Sequence, residues 1–151
     1  MTSEDIEQLF IVVGADLRAE ISDRPLAYRL RDRVIQWQGQ LQDHESAEPV
    51  TAVELASIVV CTDLWYLNAN ELMGQPAIAI GEPGMNAATA YLANRLPTAM
   101  VIEGRFRLHL DPEFIDAHAC IWGVDPRATA EAIDVFAERY LDAFMGAAVD
   151  A

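Results

Sequence analysis

Apolar residues follow two rhythms along this chain. Four short runs, LFIVVG (residues 9–14), ASIVVCTD, PAIAIG and ACIWGV, are apolar without alternation and rich in β-branched side chains. Such runs predict strands buried on both faces. Other stretches repeat every three or four residues. In SDRPLAYRLRDRVIQWQGQLQ, Leu26, Leu30, Val34, Trp37 and Leu41 form one helical stripe, with Pro25 in the first turn and arginines on the wet side. Met85, Ala88, Leu92 and Leu96 predict a second helix over 85–96. DPRATAEAIDVFAERYLDAFMGA predicts a third, with Asp125 as N-cap and Pro126 at the first helical position.

Between these lie weaker signals. QDHESAEPVTAVE is polar and interrupted by proline, the loosest connection expected in the chain. LWYLNANELMGQ predicts irregular structure or a turn or two of helix. TAMVIEGRFRLHLD predicts a hairpin about Glu103-Gly104, its second strand alternating Phe106, Leu108 and Leu110 against Arg105, Arg107 and His109. Strand and helix alternate at least three times. The expected fold is therefore α/β: one three-layer domain over residues 1–151, with a mainly parallel twisted sheet of about five to six strands, helices on both faces and one antiparallel hairpin.

Composition narrows the function. With 151 residues and 52% apolar content, the chain can bury a full core. No apolar run is long enough to span a membrane, and the acidic start MTSEDIEQLF lacks the layout of a secretory signal. The expectation is a cytoplasmic protein without a membrane partner. A net charge of -14 argues against nucleic acid. All ten basic residues are arginine, so a phosphate-loop lysine and a Schiff-base lysine are excluded from this chain. The two cysteines sit in apolar runs and read as buried thiols, with no C-x-x-C to suggest redox or zinc chemistry. No G-x-S-x-G nucleophile elbow occurs.

Candidate chemistry gathers at the strand ends, because open α/β sheets bind ligands beyond their carboxyl edges. The runs end in Gly14-Ala15-Asp16, Cys61-Thr62-Asp63, Gly81-Glu82-Pro83-Gly84-Met85-Asn86 and Gly123-Val124-Asp125. If the strands are parallel neighbours, Asp16, Asp63, Gly81, Glu82, Gly84, Asn86 and Asp125 share one rim and form the candidate ligand site. The Gly81–Asn86 loop has two readings: a turn with Asn86 as helix cap, or a ligand-contacting loop. GEPGMN before an Ala-Thr-Ala helix resembles Gly-Gly-Pro-x-x-Asn loops of some surface-layer and cell-wall-binding modules. The likeness spans some ten residues and carries no function over. The order of strand, Gly-x-polar loop, acidic residue and helix resembles the layout of nickel-hydrogenase maturation proteases. Their Gly-Asp-Asp/Glu-Gly run is replaced here by SDRPLAYRL, so metal-dependent proteolysis is not carried over either.

Three functional readings follow. The first is a small-ligand or partner-binding domain using the rim, with no catalytic motif and no identified cofactor. The second is a metal-dependent hydrolase or transferase using Asp16 and Asp63 with His109 or His118, where Asp116-x-His118 could contribute a ligand pair. The third is an interaction protein, a homodimer built through Arg105, Arg107, Trp65 and Tyr66. Strand alternation places Arg105, Arg107 and His109 on one face, where they could protect a sheet edge, dock onto an acidic patch of a second copy or seat an acidic ligand.

Overall fold

The computed structural model describes residues 8–44, 57–72, 74–111 and 117–150. Six strands form one sheet: β1 (Gln8–Val13), β2 (Ser57–Thr62), β3 (Ala77–Ile80), β4 (Thr98–Ile102), β5 (Phe106–Leu110) and β6 (His118–Gly123). Their spatial order is β2-β1-β3-β6-β5-β4. The first four in that order are parallel, β5 runs antiparallel to β6, and β4 antiparallel to β5. The described residues also form six α-helices, α1 (Leu17–Ser22), α2 (Arg24–His44), α3 (Asp63–Leu67), α4 (Ala87–Ala93), α5 (Pro126–Arg139) and α6 (Leu141–Asp150), and a short 3-10 turn at Asn70–Leu72. The three-layer α/β fold expected from the apolar runs is the fold found.

Successive strand residues point to opposite faces, so each apolar run feeds two cores. Leu9, Ile11, Val13, Ile78, Ile80 and Ile121 meet Leu30 and Val34 of α2, Ile133 and Phe136 of α5, and Phe144 of α6. Phe10, Val12, Ala77, Ala79 and Cys120 meet Tyr66 of α3 and Ala88 and Leu92 of α4 on the other face. The chain therefore leaves β1 toward one face and β3 toward the other. That divergence between adjacent parallel strands is the topological switch point of an open sheet. Among the described residues, no helix is long and apolar enough to cross a membrane.

Local chemistry departs from the expected pattern at three places. The C-terminal helix is two helices, because Tyr140 leaves the helical region at φ -123. The apolar repeat continues across the break, with Phe136 and Phe144 meeting edge-on at 5.7 Å, so periodicity alone hides it. Trp37 is only half-buried, and its indole N–H donates to Asp142 Oδ1 at 3.0 Å, tying α2 to α6. Arg29 and Arg33 of α2 both reach Asp134 of α5 rather than only solvent.

The hairpin differs most. β4 is the edge strand of the hairpin and β5 lies inside the sheet, so edge protection cannot explain Arg107 of β5, and Arg105 lies in the turn before it. His109 is buried and stacks on Trp122 with ring centroids 5.0 Å apart, rather than lining an exposed charged face. The expected loose connection lies outside the described residues except where α2 runs on to His44, and Asp116 lies outside them too.

Candidate functional site

The four parallel strands deliver Asp16, Asp63, the Gly81–Asn86 loop and Asp125 to one edge of the sheet, so the rim expected from the sequence exists as an arrangement. Its members do different work. Asp16 and Asp125 are exposed N-caps, accepting from Ala19 N at 2.9 Å and Ala128 N at 2.8 Å. Thr62, not Asp63, caps α3. Asp63 is buried, and its Oδ2 accepts the Ala87 N–H at 2.7 Å, locking the end of β2 to the start of α4. Glu82 and Gly84 are exposed.

Asn86 occupies the switch point itself. Its amide donates to the carbonyls of Val12 and Ile80, at 2.9 and 2.8 Å, where β1 and β3 part. Its Oδ1 accepts from Ala88 N and Thr89 N, at 2.9 and 3.2 Å, capping α4. Both donors and both lone pairs of the side-chain amide are then in use. Asn86 is a brace, with no capacity left for a ligand.

Tight glycines bring the loops together. A Cβ on Gly14 would stand 2.1 Å from the Met85 carbonyl oxygen, and one on Gly123 would stand 2.5 Å from Thr129 N. Gly81 adopts φ +120, a conformation that favours glycine. Beside it stands a residue that the sequence reading passed over. Asp23, between α1 and α2, is 8% exposed, and its Oδ2 lies 2.8 Å from where a Gly81 Cβ would be. Its backbone continues the helical bonding, donating to Ala19 O and accepting from Ala27 N. Among the described residues, no hydrogen bond or ion pair reaches its carboxylate.

That carboxylate lines a cleft of about 280 Å³ with Arg18, Ser22, Gly81, Glu82, Met85 and the start of α5. Burial, then the nearby Asp16 and Glu82 carboxylates, push its pKa from 3.8 up to about 6. The raised value means that the folded state binds this proton more tightly than the unfolded chain. Stability is therefore expected to fall as pH rises from about 4 to about 6, the charged form being the disfavoured one. The rise corresponds at most to about 3 kcal/mol, and access of water to the cleft reduces it to about 1–2 kcal/mol. An Asp23→Asn variant should therefore be more stable than the parent at pH 8 by about 1–2 kcal/mol. The gap should close near pH 4 in urea titrations; a variant less stable than the parent at pH 8 would contradict it.

The remaining candidates are dispersed. His118 stands at the opposite end of β6 from the rim, paired in register with Ala77, and its Nε2 lies 3.1 Å from the Gln75 carbonyl. With His109 packed against Trp122, neither histidine joins Asp16 and Asp63. Among the described residues, no group of three His, Cys, Asp or Glu is placed to hold a metal ion. Burial pushes the Cys61 thiol up to about 11 and Cys120 up to about 12, so both are protonated at neutral pH. Tyr66 is fully buried in the core and Arg105 pairs with Glu131, which leaves Trp65, 52% exposed, and Arg107 for a self-association surface.

Compared with known protein families, with curated proteins and with solved structures, the chain matches none.

Proposed function

We propose that this protein is a ligand-binding domain whose cleft at the carboxyl edge of the sheet takes a small molecule through a cationic group, such as a protonated amine. One observation carries the reading: Asp23 is a buried carboxylate facing a cleft, with no partner of its own among the described residues. A buried charge without a partner is costly, and a ligand cation supplies what the fold leaves out. Glu82 and Asp125 border the same cleft, and the net charge of -14 raises the local concentration of cations. Arg18 at its margin counts against an ion without directional hydrogen bonds and favours a ligand that also carries an acceptor. At about 280 Å³ the space fits a head group rather than a large cofactor. The two free buried cysteines support a reducing compartment, in keeping with a cytoplasmic protein.

Titration of the protein with hexylamine, hexanoate and inorganic phosphate, followed by amide chemical shifts at pH 7.5, tests the proposal. Hexylamine should perturb Ser22, Asp23 and Gly81, which line this cleft, and the other two should leave those three residues unchanged. Affinity should drop about tenfold at pH 5, where Asp23 takes up its proton, and vanish in Asp23→Asn. A response to phosphate or hexanoate with none to the amine would overturn it.

A further inference from the structure

A second cleft, of about 360 Å³, opens where the β4–β5 hairpin turns beside the end of β6. It adjoins the first, sharing Glu82, Gly123 and Val124 with it. Its distinctive wall is made by Arg107 and Trp122, which are register partners across the β5–β6 ladder. Direct partners point to the same side of a sheet, with Cβ atoms about 5 Å apart. The indole is held from beneath by the parallel His109 ring, the two planes inclined by only 8°. Burial, helped by the Arg107 charge and opposed by a contact to the Leu96 carbonyl, pushes the His109 pKa down. His109 is then a neutral support for the indole rather than a rival charge.

Arg107 makes no ion pair among the described residues, whereas its neighbour Arg105 is bound to Glu131. An uncommitted guanidinium beside a fixed aromatic ring is a seat for a carboxylate attached to a flat or apolar body. Two carboxylates oppose it: Glu103 in the hairpin turn and Glu82 where the clefts meet. Glu82 also sets direction, because it repels an anion from the junction and from the Asp23 side.

We infer that the two clefts hold the two ends of one zwitterionic ligand, its cationic group against Asp23 and its carboxylate against Arg107, joined by an apolar segment passing Val124 and Trp122. The inference rests on the cationic reading of the Asp23 cleft and adds to it the second charge and its sign. A carboxylate at an exposed arginine should tighten binding by about three- to tenfold, no more, given Glu103 nearby.

The test compares ω-amino acids of four, six and eight carbons with the alkylamines of the same length, titrated into the parent, Arg107→Gln and Asp23→Asn proteins. At least one amino acid should bind the parent about three- to tenfold tighter than its matched amine, with shifts at Arg107 and Trp122. On Arg107→Gln the pair should bind equally, and on Asp23→Asn neither should bind. Melting curves confirm that the exposed Arg107 substitution leaves the fold intact. If amines bind but no amino acid exceeds its match, the zwitterion is wrong while the Asp23 cleft stands. If no amine or amino acid binds, both fall.

Discussion

Asn86→Ala is expected to cost about 3 kcal/mol of stability, far more than its single side chain suggests. The change removes four hydrogen bonds at once. Losing the cap of α4 accounts for about 1 kcal/mol. Val12 O and Ile80 O then lose their side-chain donor inside the protein, at about 1 kcal/mol each. Two further variants separate the parts. Asn86→Ser keeps a capping oxygen, lacks the two amide donors and should lie between parent and alanine. Asn86→Asp keeps the cap too, yet aims a carboxylate oxygen at two carbonyl oxygens and should be as damaging as alanine. Urea midpoints at unchanged m-value give the comparison. A loss below about 1 kcal/mol in Asn86→Ala would show that something else holds β1 and β3 to the α4 terminus.

Asn86 also marks how far the sequence could be read. The role of cap was visible, because an asparagine before an Ala-rich helical segment predicts it. The bonds to Val12 and Ile80 were not, since they depend on β1 and β3 being neighbours, and strand order is a non-local property. The same limit explains the hairpin. Alternation correctly placed Phe106, Leu108 and Leu110 on one side of β5, but whether β5 is an edge or interior strand depends on where β6 lands. With β6 beside it, His109 is stacked on Trp122 and buried instead of exposed.

The rim shows the converse. Parallel apolar runs do place Asp16, Asp63, Glu82 and Asp125 along one edge, as their unalternating pattern implied. What the pattern could not rank was their chemistry. Asp16 and Asp125 are ordinary exposed caps, while Asp23, in the plain stretch SDRP, becomes the perturbed acid. Its environment is created by Gly81, Asp16 and Glu82, and only the fold brings Gly81 and Glu82 to it. A local signal for such a residue is the pairing of an acid beside a helix-starting proline with a distant strand ending in glycine, and that signal is weak.

The largest single effect expected is at Gly14, where alanine should cost about 3 kcal/mol or more. The added Cβ would meet the Met85 carbonyl oxygen at 2.1 Å, the Met85 carbonyl carbon at 3.2 Å and Ala19 Cβ at 3.0 Å. Two of those atoms are backbone, so no side-chain rotation relieves the clash. Either β1 or the 81–86 loop must move. The loop is braced by Asn86 against both β1 and β3, which makes its displacement expensive in its own right. Gly39→Ala supplies the matched control. Gly39 is exposed on α2, and a Cβ there meets nothing within 4 Å. The same chemical change should stabilise that position by about 0.5–1 kcal/mol, through helix propensity alone. Opposite signs for one substitution at two glycines isolate the close approach of the β1 and β3 loops as the cause. Any Gly14→Ala protein that still folds should also bind hexylamine more weakly, because displacing Met85 shifts Gly81 and Glu82 against Asp23. Equal stability changes at the two positions, or unaltered amine affinity in the Gly14 variant, would mean that this loop contact neither holds the rim together nor shapes the cleft.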